Sequence, residues 1–248
     1  MERRRLDFLA FRLAIHNDCW YKNHMSISII IPTLNEAATL AEVIEAARRT
    51  GDAEIIVVDG GSSDATLTIA AKADICLSSE RGRAQQQNAG AKIAKGNVLL
   101  FLHADCLLKE NCCDAIRSAM QNKDCIGGCF QQQIDAKGLR YRLLEKGNAM
   151  RVHCCKWAYG DQGIFVKRDT FKQVGGFPDI QLMEDLYLMK RLKKEGRFSL
   201  LDAHIIISAR RWQQKGVIRQ TLRNWAFVTL AHLGVSPNWL AKYYPHVR

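Results

Sequence analysis

The sequence predicts an α/β fold, a mostly parallel sheet flanked by helices. Three observations predict it. From Ser26 onward, short apolar runs alternate with helix-period segments at the spacing of strand–helix–strand units, whose crossovers are right-handed. The runs SISIIIP, EIIVVD and VLLFL are continuous rather than alternating, as strands buried on both faces are. Each run closes in residues such as Asn, Asp, Glu, Gly and Ser, and open parallel sheets bind ligands where their strands end.

The elements follow in order. Residues 1–24 differ from the rest: Arg3, Arg4 and Arg5 precede LDFLAFRLAI, which Asp7 and Arg12 interrupt. A signal peptide needs a longer clean apolar core and a small-residue cleavage site, and neither is evident. The prefix is expected to be either untranslated, with Met25 as the start, or a surface helix. A first strand over Ser26–Pro32 leads to a helix over Thr39–Arg49, with Leu40, Val43, Ile44 and Ala47 on one face. A second strand, EIIVVD, ends in GGSSD, where Ser62, Ser63 or Asp64 could cap a following helix of roughly ten residues. A short strand over Asp74–Ser78 and a polar helix over Arg83–Ala94 come next. The apolar run from Val98 then delivers His103, Ala104 and Asp105 at its C-terminal end.

Beyond Asp105 the rhythm loosens. A helix over Asn111–Gln121, a strand over Asp124–Ile134 bent at Gly127-Gly128 and a basic helix over Leu139–Val152 are expected. AYGDQGIFVKRDTF reads as a turn and a strand, GGFPDIQLMEDLYLMKRLKKEG as a loop entering a helix, and RFSLLDAHIIISARRW as two short strands. A last helix carries Val217, Ile218, Leu222, Trp225 and Leu230. No linker or repeat interrupts residues 25–213, which are read as one catalytic domain, with 214–248 as a helical segment packed on it or on a membrane surface.

Bulk properties narrow the classes. With 248 residues the chain can bury a sizeable core. A net charge of +11 favours anionic partners such as phosphate-bearing molecules or an anionic membrane face. The nine cysteines form no C-x-x-C pair and include the neighbours Cys112-Cys113 and Cys154-Cys155, which disfavours a disulfide framework or zinc ribbon and fits a reducing cytoplasm. No apolar stretch reaches the length that spans a bilayer.

Three strand ends present acidic groups to one sheet edge: Glu36, then Asp59 and Asp64, then Asp105. Each alone could be a cap or loop residue. Together they can hydrogen-bond a base and a ribose while one holds a divalent cation, and Mg²⁺ is usually held by one or two carboxylates plus substrate phosphates. Arg81 and Arg83 are a candidate pair for phosphate contacts, which arginine can make in bidentate form.

PTLNE, VVDGGSSD, GRAQQQNAGA and LLFLHADC resemble the nucleotide-binding half of the family 2 glycosyltransferases. YGDQGIFVKRDTFKQVGGFP, LMEDLYLMKRLKKEG and SARRW resemble that family's acceptor-side motifs, in the family's order from Ser26 to Trp212. HAD in place of DAD, together with SARRW, is similar to the small bacterial selenodomain- or arsenosugar-associated subgroup. The resemblance implies the GT-A fold, a Rossmann-like α/β architecture, and a hexosyltransferase-like enzyme using Mg²⁺ or Mn²⁺. The partners it implies are a nucleoside diphosphate sugar, UDP-linked, and a hydroxyl acceptor of lipid-linked or other kind.

The resemblance also assigns roles. Pro32, Asn35, Glu36, Asp59, Asp64, Arg81, Arg83, Gln86 and His103 would serve the nucleotide, and Asp105 the metal. His103 stands where the family has a first acid, leaving the choice of metal open. Asp185, beside Glu184, would be the general base of an inverting transfer. Gly160, Asp161 and Gln162 would face the donor sugar, and Arg210, Arg211 and Trp212 the acceptor, although Trp212 could equally fill core. The last helix either packs on the domain or lies on the inner face of the cell membrane. Two rival classes are weaker. Nucleotidyltransferases carry a Gly-rich basic loop where this chain has PTLNE, and a nucleic-acid-binding module would interleave aromatics with a basic face, whereas the cations here are dispersed.

Overall fold

The computed structural model describes residues 25–243. The extension expected over 1–24 and the end of the C-terminal segment, 244–248, lie outside the described residues. The strands are β1 (Ile27–Thr33), β2 (Glu54–Asp59), β3 (Ile75–Ser78), β4 (Val98–Phe101), β5 (Cys106–Leu108), β6 (Cys125–Asp135), β7 (Ile164–Lys167) and β8 (Arg197–Ser208). The helices are α1 (Leu40–Arg49), α2 (Thr66–Ala70), α3 (Arg83–Ile93), α4 (Cys112–Met120), α5 (Leu139–Cys155), α6 (Arg168–Gln173), α7 (Glu184–Leu192), α8 (Arg210–Lys215), α9 (Val217–His232) and α10 (Pro237–Ala241).

The strands make one sheet in the order β3-β2-β1-β4-β7-β6-β8-β5. The first four run parallel, and the three of them other than the edge strand β3 are the continuous apolar runs. Thr33 pairs with Asp59 and Asp59 with Ser78, so these strand ends lie level on one edge. Pro32 sits within β1, past the last β1–β4 pair of Ile30 with Phe101, where its missing N–H costs no ladder bond.

Side chains sort to two faces by parity. Ile27, Ile29 and Ile31 meet Leu40, Val43 and Ile44 of α1 and Ile116 of α4 on one face. Ile30, Ile56 and Val58 meet Ala84 and Ala91 of α3 and Leu188, Met189 and Leu192 of α7 on the other. The result is a helix–sheet–helix sandwich whose C-terminal strand edge stays open.

The structure departs from expectation in four places. β7 runs antiparallel to both β4 and β6, and β5 antiparallel to β8, so the sheet is mixed. RFSLLDAHIIIS is one strand, β8, rather than two; it stays paired in parallel with β6 across register shifts near Cys125 and Phe130, which bend it without ending it. The stretch from Val98 to Leu108 is broken after Phe101, and its last three residues, Cys106–Leu108, form β5. The helix after GGSSD has five residues, and Asp64 accepts the Thr66 N–H at 3.0 Å at its start.

Helix α3 lies close on β1 because Gly90 has no side chain. A Cβ there would come within 2.5 Å of Ile30 Cγ2 and 3.1 Å of Val58 Cγ2. Gly90→Ala is therefore expected to destabilise by about 1–3 kcal/mol through overpacking, against a helix-propensity gain of up to about 1 kcal/mol. Urea unfolding checks this, and an alanine variant more stable than the native chain would refute it.

Candidate active site

The loops after β1 and β2 are stitched to each other by side chains. Asn35, in the left-handed region at φ 54°, accepts the Ser63 N–H at 2.9 Å, while its own N–H donates to Ser62 Oγ at 2.8 Å. Asparagine is among the few non-glycine residues that tolerate that backbone. The Glu36 N–H donates to Thr66 Oγ1 at 2.8 Å. Buried Asp59 accepts the Gly61 and Ser62 N–H groups at 2.9 and 2.8 Å, the Ser62 hydroxyl, and the Thr33 hydroxyl at 3.3 Å. Those four bonds match the acceptor capacity of a carboxylate. Asp64 accepts from Thr66 and from the Ala37 N–H; the Thr66 hydroxyl, foremost, holds its carboxyl below the usual range.

Across the edge, α3 begins at Arg83 and α7 at Glu184. Arg83 Nε and Glu184 Oε1 lie 3.0 Å apart, and Glu184 is buried. Burial raises the Glu184 carboxyl above its ordinary value; Arg83 opposes the rise and Asp185 adds to it. Met183, which precedes α7, has φ 65°. A non-glycine residue held there costs about 1–2 kcal/mol, and it turns the chain so that Glu184 points inward while Asp185 lines the cavity.

One cavity gathers Arg83, His103, Asp105, Cys106, Gly160, Asp161 and Asp185, with Arg210 and Trp212 at its side. The 3-10 turn Gly160–Gln162 forms part of its wall. The Gly160 N–H donates to Asp185 Oδ2 at 2.7 Å, and the His103 ring occupies the space that a side chain at residue 160 would fill. Gln162 is fully buried, its Oε1 accepting from Arg151 Nη2 at 2.7 Å and from the Tyr159 N–H at 3.2 Å. Arg151 also covers the Tyr159 ring, 3.8 Å from its centroid. The ligand atoms of His103, Asp105 and Cys106 all lie within 4.8 Å of one another, a donor set that fits a divalent cation.

The profile of Glycosyl transferase family 2 matches residues 28–178. The chain belongs to this family. A PGL/p-HBAD biosynthesis glycosyltransferase of Mycobacterium tuberculosis is 44% identical over 93 residues, which are 34% of this chain and 36% of that protein. Glycosyltransferase AglE of Haloferax volcanii is 26% identical over 202 residues, 73% of this chain and 65% of AglE. The chain thus spans about a third of the mycobacterial relative and just under two thirds of AglE. Among solved structures, S. aureus TarS in complex with UDP-GlcNAc superposes with a TM-score of 0.60 at 18% identity, covering 74% of this chain and 58% of that one. The fold is GT-A.

Within this family member, the expected residues divide into three groups. Arg83, His103, Asp105, Gly160, Asp161, Asp185, Arg210 and Trp212 meet at the cavity, and Trp212 also packs on the core. Asn35, Glu36, Asp59 and Asp64 build the neighbouring edge loops, and a base contact by Asp59 would have to displace one of its loop bonds. The third group lies off the cavity. Pro32 is buried in β1, and Arg81 is exposed outside the cavity lining. Gln86 is buried, its Nε2 donating to the Thr33 and Val58 carbonyls at 2.7 and 2.8 Å, so it ties the ends of β1 and β2 together. Gln162 anchors its turn from beneath. The Arg211 side chain lies outside the described residues.

Sequence reasoning missed Tyr159, Met183, Gln220, Asn224 and Phe227, which also line the cavity. Gln220 and Asn224 did carry a signal, since they are amides one helical turn apart, and they hydrogen-bond each other at 2.9 Å.

The raised Glu184 carboxyl has a pH consequence. An unfolded glutamate ionises near 4.5, whereas the folded one holds its proton to higher pH. The native state therefore binds more protons than the unfolded state in that window, and this group's contribution to stability falls as pH rises from 4.5 through the folded value. The stability of the native chain minus that of Glu184→Gln, from urea unfolding across pH, is expected to decline over that window and flatten above it. A difference that rises would overturn the account.

Proposed function

We propose that the protein transfers a hexosyl group from a UDP-linked sugar to a hydroxyl acceptor with inversion, and that Asp185 is its general base. One observation carries the proposal: a single cavity brings the carboxylate of Asp185 together with Asp105, His103 and Arg83. The acceptor oxygen attacks the anomeric carbon as Asp185 takes its proton, and the carbon–oxygen bond to the diphosphate breaks with the electron pair leaving on the diphosphate. The Gly160 N–H bond orients the Asp185 carboxylate for this step. Arg83 lines the cavity where it can meet charge developing on the leaving group, an electrostatic contribution preorganised by its pair with Glu184. Asp105 with His103 would hold a divalent cation, which when bound would neutralise diphosphate charge. The uridine choice draws support from the UDP and UDP-GlcNAc complexes of TarS. The narrower likeness to the selenodomain- and arsenosugar-associated subgroup rests on HAD and SARRW.

Calorimetric titration with UDP, GDP and TDP tests the donor reading. Binding of UDP that requires Mg²⁺ or Mn²⁺ and is lost in Asp105→Ala is expected; no nucleotide binding by the folded protein would sink it. Asp185→Asn keeps an oxygen for the Gly160 N–H. It is expected to lower transfer by about 10²–10⁴-fold while UDP binding stays unchanged, and full activity would remove Asp185 from the role.

Membrane contact belongs to the same proposal. No helix among the described residues is long and apolar enough to cross a membrane. On α9, however, Ile218, Leu222 and Trp225 are 76%, 60% and 68% exposed, at helical spacing beside exposed Arg219, while Phe227 and Val228 turn to the cavity. An anionic lipid surface on the cytoplasmic side suits both that face and the +11 charge, and would bring the cavity to a lipid-linked acceptor. The protein is expected to sediment with phosphatidylglycerol-containing vesicles, and the Leu222→Ser/Trp225→Ser variant to stay in the supernatant. Equal partition of the two proteins would remove the membrane from the reading.

A further inference from the structure

We propose that Cys106 is a metal ligand, and that with His103 and Asp105 it makes a nitrogen–oxygen–sulfur site that takes Zn²⁺ in preference to Mg²⁺. The proposal rests on the reading of the cavity as the place of a divalent cation. It adds a third donor and a different choice of ion.

The geometry is that of a ligand set. Cys106 Sγ lies 3.7 Å from Asp105 Oδ1, and the imidazole of His103 brings a nitrogen within 4.8 Å of both. Around a tetrahedral ion with a metal–sulfur distance of about 2.3 Å and a metal–oxygen distance of about 2.0–2.2 Å, the two donors stand about 3.5–3.7 Å apart. Without metal the same contact is a weak S–H···O hydrogen bond, so the position needs little change to bind. The backbone is fixed as well. Cys106 opens β5, where it pairs with Ile207 of β8, and its buried side chain faces the cavity that Asp105 and His103 also line.

Donor chemistry sets the choice of ion. Mg²⁺ takes oxygen ligands at near-octahedral geometry and keeps its waters. Imidazole and thiolate favour Zn²⁺ and its neighbours. Three protein donors leave one tetrahedral position for an outside group, the arrangement of zinc sites that act on a ligand rather than merely hold a fold. A diphosphate oxygen fits that position chemically. On binding, the thiol proton is released to solvent and the sulfur binds as thiolate.

Cobalt(II) reports on this directly. Co²⁺ is added to the full chain without nucleotide, and the spectrum is recorded. A thiolate-to-cobalt charge-transfer band in the near ultraviolet is expected, with visible bands of tetrahedral cobalt. The band should be lost in Cys106→Ser and kept in the Cys154→Ser/Cys155→Ser variant, which removes the exposed neighbouring thiols. Equimolar Zn²⁺ should abolish it, and excess Mg²⁺ should leave it. Competition with a chromophoric chelator should show Zn²⁺ bound more than about tenfold more weakly by Cys106→Ser, a loss that even outer-shell partners of a metal can cause. Cobalt bound without the band, a band that survives Cys106→Ser, displacement by Mg²⁺, or no cobalt binding at all would each overturn the proposal. The spectrum of the unaltered protein can overturn the proposal by itself, so a variant that misfolds does not remove the test. The reading of Asp105 as metal-binding fails separately, if Asp105→Ala leaves metal-dependent UDP binding intact.

Discussion

The site depends on one buried carboxylate and the cation that holds it. Glu184 sits inside the fold against Arg83, joining the start of α7 to the start of α3. Taking a carboxylate out of water costs several kcal/mol, roughly offset by a well-placed partner, and removing that partner from such a pair typically costs about 3–5 kcal/mol. The pair is therefore poor evidence of stability and good evidence of placement. Two helices from separate halves of the sequence must begin within a side chain's length of each other for Glu184 to be satisfied. That requirement brings Asp185, the next residue, to the cavity.

The carboxylates of the strand edge divide their labour by what already saturates them. Asp59 and Asp64 are filled by N–H and hydroxyl donors from their own loops, so they shape the edge. Asp105 and Asp185 line the cavity, where a substrate or ion can reach them. Clustered acids would repel a diphosphate if all were equally open. Using two of them as loop organisers reduces that repulsion and leaves Arg83 at the cavity to oppose what remains.

The parallel half was legible because burial on both faces leaves a sequence no freedom except to be apolar. β1, β2 and β4 appear as unbroken runs, and the family motifs at their ends mark the edge. What stayed hidden were side chains whose partners lie far off in sequence. Gln86 looks like a polar residue one turn from Arg83, and nothing in GRAQQQNAG says that its amide serves the carbonyls of Thr33 and Val58. β5 is three residues long, too short for periodicity to register, and it exists only because β8 runs beside it. RFSLLDAHIIIS reads as two pieces in the sequence, yet β6 pairs with it on both sides of a register shift that leaves Asp202 and Ala203 out of the ladder, so it is one strand. The cavity face of α9 needed the tertiary structure, since an apolar helix can turn any side to its neighbour.

The turn Gly160–Gln162 connects the two ends of the proposed chemistry. Its first residue touches the His103 ring on one side and gives its N–H to Asp185 on the other. Its last residue is held from below by Arg151, which also stacks on Tyr159. A side chain at residue 160 would have to push the imidazole away, so the absence of one lets the ring, the turn and the base pack as a single layer. A movement of His103 therefore has no slack to absorb it before it reaches the hydrogen bond that orients Asp185. The strand-edge donor and the carboxylate on α7 are thereby coupled through the backbone of Gly160 rather than through a flexible side chain, and close-packed contacts of that kind transmit displacement.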